Sequence, residues 1–184
     1  MGPGAASPAD EQLARDLRAA IRDVPDFPKP GILFKDITPV LQDAALFRRT
    51  CDALAAPWGS SGITHVLAIE SRGFIFGAPV ALALGAAFVP LRKPGKLPHE
   101  TVRETYALEY GTDALEAHRD ALGSGARVLI VDDLLATGGT AAAAVRLAER
   151  LGGSVSGISV VVGLDFLPWR EALKGLPAEV LVRF

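Results

Sequence analysis

Runs of apolar, largely β-branched residues at His65 to Ile69, Arg127 to Val131 and Val155 to Val162 read as strands buried on both faces. Between them the pattern changes. Phe74 to Leu84, closed by Gly85, and Gly139 to about Leu151 read as helices, with Ala86 to Leu91 as a further strand. Strands that alternate with helices predict an α/β fold, a parallel sheet flanked by helices, in which ligands bind outside the carboxyl ends of the strands. Upstream, Ser7 followed by Pro8 reads as a helix start with Leu13, Leu17 and Ile21 on one face. Asp43 reads as the cap of a second helix that turns Leu46, Phe47, Thr50, Cys51 and Leu54 inward. Val24 to Gly31 is punctuated by Pro25, Pro28 and Pro30 and predicts no regular structure. Tyr106 to Ala117 fits either a helix or a two-stranded hairpin around Gly111. Met1 to Ala6, small and rich in proline and glycine, reads as disordered.

The run Val128 to Thr140 carries the most chemistry. A buried strand ends in Asp132 and Asp133, and the small-residue loop Ala136, Thr137, Gly138, Gly139 and Thr140 opens an alanine-rich helix. Residues this small let backbone N–H groups converge on phosphate oxygens at the positive end of the helix. Thr137 and Thr140 add hydroxyl donors. The loop has no lysine and fits neither the P-loop nor the dinucleotide pattern, so a monophosphate suits it better than a triphosphate. The two aspartates alternate in direction along a regular strand and can share a ligand only where the strand ends and bends. There they can accept hydrogen bonds from a sugar diol or hold water on a magnesium ion. A plain strand–turn–helix connection would account for a lone glycine pair, but not for the whole string.

A second turn, Glu70-Ser71-Arg72-Gly73, repeats this logic and places Arg72 near another helix N-terminus. Arg92, Lys93 and Lys96 follow in a loop bounded by Pro94 and Pro98, and the polar stretch to Thr105 is long enough to fold over a site as a lid. Two anion-friendly turns at neighbouring strand ends fit a substrate with phosphate at one end and pyrophosphate at the other.

The 184 residues, 49% of them hydrophobic, suffice for one sizeable core and predict a single domain over 1–184. A net charge of -2 without a basic run disfavours nucleic-acid and anionic-membrane partners. The uncharged stretch Phe74 to Leu91 is interrupted by Gly77, Pro79, Gly85 and Pro90, and no signal-peptide pattern opens the chain, so a soluble cytoplasmic protein is expected. The single cysteine, Cys51, reads as a buried core thiol, and His65, His99 and His118 lack metal-ligand spacing.

Taken together, Pro25-Asp26-Phe27-Pro28 with Pro30-Gly31, Phe34-Lys35-Asp36-Ile37, Ser71-Arg72-Gly73-Phe74, Arg92-Lys93, Gly95-Lys96-Leu97-Pro98, Leu108-Glu109-Tyr110-Gly111 and Asp132 to Thr140 resemble the type I phosphoribosyltransferase family, in its adenine-using branch. The resemblance runs from Val24 onward. It implies a parallel sheet with an N-terminal hood segment and a flexible lid loop. It also implies transfer of a phosphoribosyl group from phosphoribosyl pyrophosphate to adenine, giving AMP and pyrophosphate, with Mg2+ held mainly by substrate. By the same resemblance, Asp132 and Asp133 contact the ribose, Ala136 to Thr140 the 5′-phosphate, and Ser71, Arg72, Lys93 and Lys96 pyrophosphate. Arg92 would serve pyrophosphate or the neighbouring subunit of a homodimer. Phe34, the backbone of Leu33 and Lys35, and Leu164 would enclose the base. Glu109 would be the catalytic acid–base group, and the peptide between Glu70 and Ser71 would be cis.

Other readings stay open at this point. A transferase for xanthine or another purine would share the fold. A non-catalytic regulator that senses phosphoribosyl pyrophosphate would need a nucleic-acid-binding surface, for which no extra helix-turn-helix or basic stretch is present. A plain phosphate-binding module would leave the segment Glu100 to Tyr110 without a purpose.

Overall fold

A computed structural model of the chain describes residues 7–107 and 111–184. They form two compact units, one ending at Ala53 and the other running from Leu54 to Phe184. The first unit opens with α1 (Pro8–Ala20), capped reciprocally by Ser7 and Asp10 as the serine–proline start predicts, with Leu13 and Leu17 buried. β1 (Arg22–Pro25) then pairs antiparallel with β2 (Leu33–Asp36). Val24 and Pro25 are therefore strand residues, against the expectation for that segment. The irregular part is only the connection, with Asp26 at φ 57° and a cis peptide before Pro28. A short α2 (Thr38–Gln42) precedes α3 (Ala44–Ala55), within whose last turn the two units divide. The Asp43 carboxylate accepts the Ala45 and Leu46 N–H groups at 3.0 Å each, which is the expected cap.

The second unit is built on a five-stranded parallel sheet in the order β4-β3-β7-β8-β9. Its strands are β3 (His65–Ile69), β4 (Ala87–Leu91), β7 (Arg127–Leu135), β8 (Ser154–Gly163) and β9 (Ala178–Arg183). Val66, Leu67, Leu129, Ile130, Ile158 and Val160 have no exposed surface, so these central strands are buried on both faces as their apolar runs require. Each fully buried side chain of this size contributes about 1.5–3 kcal/mol. α4 (Gly73–Leu84) packs on β3 and β7 and ends at Gly85 in the left-handed conformation. α5 (Gly139–Arg150) packs on β7 and β8 and also on an antiparallel hairpin, β5 (Thr101–Ala107) with β6 (Thr112–His118). The hairpin resolves the ambiguity at Tyr106 to Ala117. Thr101 to Ala107, part of the stretch read as a lid, is a paired strand of this hairpin. Tyr106, Leu115 and Ala117 join one apolar cluster with Leu67, Val128, Ala144 and Leu147. A short α6 (Trp169–Ala172) and β9 follow, neither of them foreseen from the sequence.

Cys51 is buried as expected, and burial followed by the charge of Asp52 pushes its thiol up to about 11. Among the described residues no helix is long and apolar enough to cross a membrane. None of them forms a cluster of three or more His, Cys, Asp or Glu that could hold a metal.

Candidate active site

β7 continues to Leu135, four residues past the expected end, and pairs with β8 throughout that extension. Its pairing with β3 stops at Val131. Beyond that point the β3 side of β7 is open, and Asp132 and Asp133 both line the cavity formed there, although the strand neither ends nor loses its pairing to β8. The cavity holds about 410 Å³ and is walled by Ile69 to Arg72, Lys93 and residues 132 to 141. It therefore brings together Ser71, Arg72, Lys93, Asp132, Asp133, Ala136, Thr137, Gly138, Gly139 and Thr140.

Two glycines set its shape. A Cβ on Gly73 would lie 2.9 Å from Asp132 Oδ1 and 3.0 Å from the Val131 carbonyl, so the start of α4 can approach the aspartate only without a side chain. Gly138 caps α5 at φ 82°, and a Cβ there would meet Ala172 Cβ at 2.9 Å and the Trp169 carbonyl at 3.0 Å. The loop at Gly138 is thus seated against α6, a contact between residues more than thirty apart that no local pattern encodes. α5 starts at Gly139 as expected, and the N–H groups of its first turn lack partners within the helix.

The electrostatics favour an anionic diol-bearing ligand balanced by cations. Asp132 Oδ1 accepts the Asp133 N–H at 2.9 Å, and Arg72 Nε lies 2.7 Å from Asp133 Oδ2. Burial, reinforced by the charge of Asp133, raises Asp132 well above the usual carboxylate range. Burial also raises Asp133, against the pull of Arg72. A divalent cation would relieve this crowding of negative charge. Two carboxylates, with no third such ligand among the described residues, suit Mg2+ carried by substrate oxygens and water.

The other expected residues fall into distinct positions. The Glu70–Ser71 peptide is cis, as the resemblance implies. Arg92 lies outside the cavity lining, and its Nε donates to Glu70 Oε2 at 2.9 Å, so it has a partner within its own chain. This pairing, and then the Lys93 N–H, hold Glu70 below the usual carboxylate range despite some burial. Lys96 is also outside the lining. Leu164, buried at the end of β8, donates its N–H to the Leu135 carbonyl at 3.0 Å. Leu33, Phe34 and Lys35 form β2 of the first unit. Phe34 packs edge-on against Phe27 at 5.1 Å, and the buried Lys35 pairs with Asp23 at 2.5 Å. Glu109 lies outside the described residues.

A parallel sheet whose open strand end carries an acid pair, followed by a glycine-bearing loop at a helix N-terminus, defines a phosphoribosyl-binding protein. The model of the phosphoribosyl transferase domain matches residues 43–165, and the chain belongs to that family. It is 59% identical over 167 residues to the adenine phosphoribosyltransferase of Myxococcus xanthus, covering 91% of each chain. The crystal structure of adenine phosphoribosyltransferase from Rhodothermus marinus superposes with a TM-score of 0.90 at 50% identity, over 95% of this chain and 99% of the other. The Saccharomyces cerevisiae enzyme, crystallised with an imino-altritol bisphosphate and adenine, gives 0.87 at 42% identity over 93% and 99%.

Proposed function

We propose that this chain transfers the 5-phosphoribosyl group of 5-phospho-α-D-ribose 1-diphosphate to adenine, releasing pyrophosphate and forming AMP in purine salvage. The observation that carries the reading is the convergence of Asp132, Asp133, the Ala136–Thr140 loop, Arg72 and Lys93 on one cavity in a chain so similar to adenine phosphoribosyltransferases. In this reading the loop N–H groups and the hydroxyls of Thr137 and Thr140 fix the 5′-phosphate at the positive end of α5. Asp132 and Asp133 accept hydrogen bonds from the ribose hydroxyls and stabilise positive charge that grows on the sugar as the C1–O bond breaks. Ser71, Arg72 and Lys93 take the pyrophosphate, with Lys96 and Arg92 as further cations of that end. Mg2+ bound with the substrate would supply neutralisation of charge on the leaving group, with Asp132 and Asp133 available to hold its water. Phe34, with the backbone of Leu33 and Lys35, and Leu164 contact the base, and Glu109 exchanges a proton with the purine ring as N9 attacks. A homodimer and a cytoplasmic location complete the proposal.

The test is direct. The protein is mixed with phosphoribosyl pyrophosphate, magnesium and, in turn, adenine, hypoxanthine, guanine and xanthine, and the nucleotide formed is identified. Nucleotide formation fastest with adenine, the product being AMP, is expected; a preference for hypoxanthine or xanthine would reject the adenine assignment and leave the fold-level reading standing.

A further inference from the structure

Lys93 lines the cavity, yet its ammonium is held from outside it, by the hairpin. Nζ donates to the Asp113 carboxylate and, at 2.9 Å, to the Tyr106 hydroxyl. Tyr106 and Asp113 lie directly opposite each other in the β5–β6 register, and the phenol donates at 3.2 Å to the same carboxylate oxygen. The other oxygen of Asp113 accepts the Ala114 N–H at 2.7 Å, so the carboxylate is itself anchored. β6 organises the rest of the cationic loop as well. Arg92 and Glu116 exchange both backbone hydrogen bonds, at 2.9 and 2.8 Å, and the buried Glu116 carboxylate accepts the Gly95 N–H at 3.0 Å.

An ammonium has three hydrogens. The hairpin directs two of them, and the third remains for an anion in the cavity that Lys93 lines. A lysine held in this way meets an anion without first giving up the rotamer freedom of its four-carbon stem. Burial opposes the Lys93 charge, but the bonds to Asp113 and Tyr106 outweigh it and keep the ammonium above the usual lysine value.

We propose that Asp113 is a positioning residue for the reaction: it sets the direction in which Lys93 meets the pyrophosphate end of the substrate, without touching substrate itself. The inference rests on the transferase reading above. Its test is calorimetry with inorganic pyrophosphate and magnesium, which needs no turnover. Asp113→Ala is expected to weaken pyrophosphate binding about tenfold, and Asp113→Asn, which keeps an acceptor oxygen, roughly two- to fourfold. In a Lys93→Met background both substitutions are expected to have no further effect. In steady-state kinetics the KM for phosphoribosyl pyrophosphate rises while the KM for adenine does not. Unchanged or tighter pyrophosphate binding, in whichever variant folds, would overturn the proposal, as would pyrophosphate failing to bind the unaltered protein. A loss of the same size in the Lys93→Met background would also overturn it, since the effect would then run through the fold. Failure of the unaltered protein to make AMP, with the calorimetric pattern intact, would reject the transferase reading alone.

Discussion

Asp132 and Asp133 are asked to do two incompatible things: to remain charged for a sugar diol and to lie beside each other in a partly buried cleft. Because the folded chain raises the Asp132 pKa above its unfolded value of about 3.9, the charged form costs stability above the folded pKa. Below the unfolded value that cost is absent. At neutral pH Asp132→Asn should therefore raise Tm while it weakens binding of phosphoribosyl pyrophosphate. The double substitution with Asp133→Asn should weaken that binding at least tenfold, on the order of one lost charge-assisted hydrogen bond, with circular dichroism unchanged. Thermal melts and calorimetry check both halves, and unchanged affinity in the double variant would remove the ribose assignment. Glu109→Leu tests a different residue. Loss of a positioned acid or base lowers kcat by ~10²–10⁴-fold, and affinity for phosphoribosyl pyrophosphate should hold, because the phosphate cradle is built from other residues. A normal kcat with a raised KM for adenine would reduce Glu109 to a base contact. At this scale the cradle was legible in the sequence, since Asp132 to Thr140 are contiguous. Asp113, Tyr106 and Glu116 were not legible, because their partners lie 13 to 21 residues away with no local pattern to announce them.

The central strands and the helices on them follow from periodicity because burial on both faces leaves a continuous apolar run. β1 and β2 escape such a reading because a hairpin of two four-residue strands joined through prolines is held by backbone pairing rather than by an apolar face. β5 was obscured by its charges, and those charges hold it in place. Glu104 of β5 accepts from Arg146 Nε at 2.6 Å and from Arg150 at 2.9 Å, both on α5, and Arg150 also donates to the Arg103 carbonyl at 2.7 Å. The Arg146 bond, with support from Arg150 and against partial burial, lowers the Glu104 pKa from 4.5. Its contribution is thus fully present above the unfolded pKa and is lost as pH falls through the lower folded value. The protection factors of the β5 amides should begin to fall as pH drops below the unfolded carboxylate value of about 4.3, and the loss should complete through the lower folded value. In Glu104→Gln that acid-dependent step should be absent. An identical acid response in the variant would show that the clamp does not hold the hairpin.

For the molecule as a whole, the family resemblance implies a two-fold homodimer. Ile75, Leu82 and Phe88 expose large apolar surfaces on α4 and the edge strand β4, and Leu82 is 84% exposed, which favours a self-association surface there. Light scattering under assay conditions should give twice the mass of the chain; a fully active monomer would refute the dimer.

The seat of Gly138 against α6 has a consequence for inheritance. The match to the family model ends at residue 165, a few residues before the wedge formed by Trp169 and Ala172. The loop and the wall that moulds it are therefore distant pieces of one sequence that must fit each other. In chimaeras that exchange the segment after Asp165 between relatives, the donor of the tail, and not the donor of the motif, should decide how well the 5′-phosphate is held.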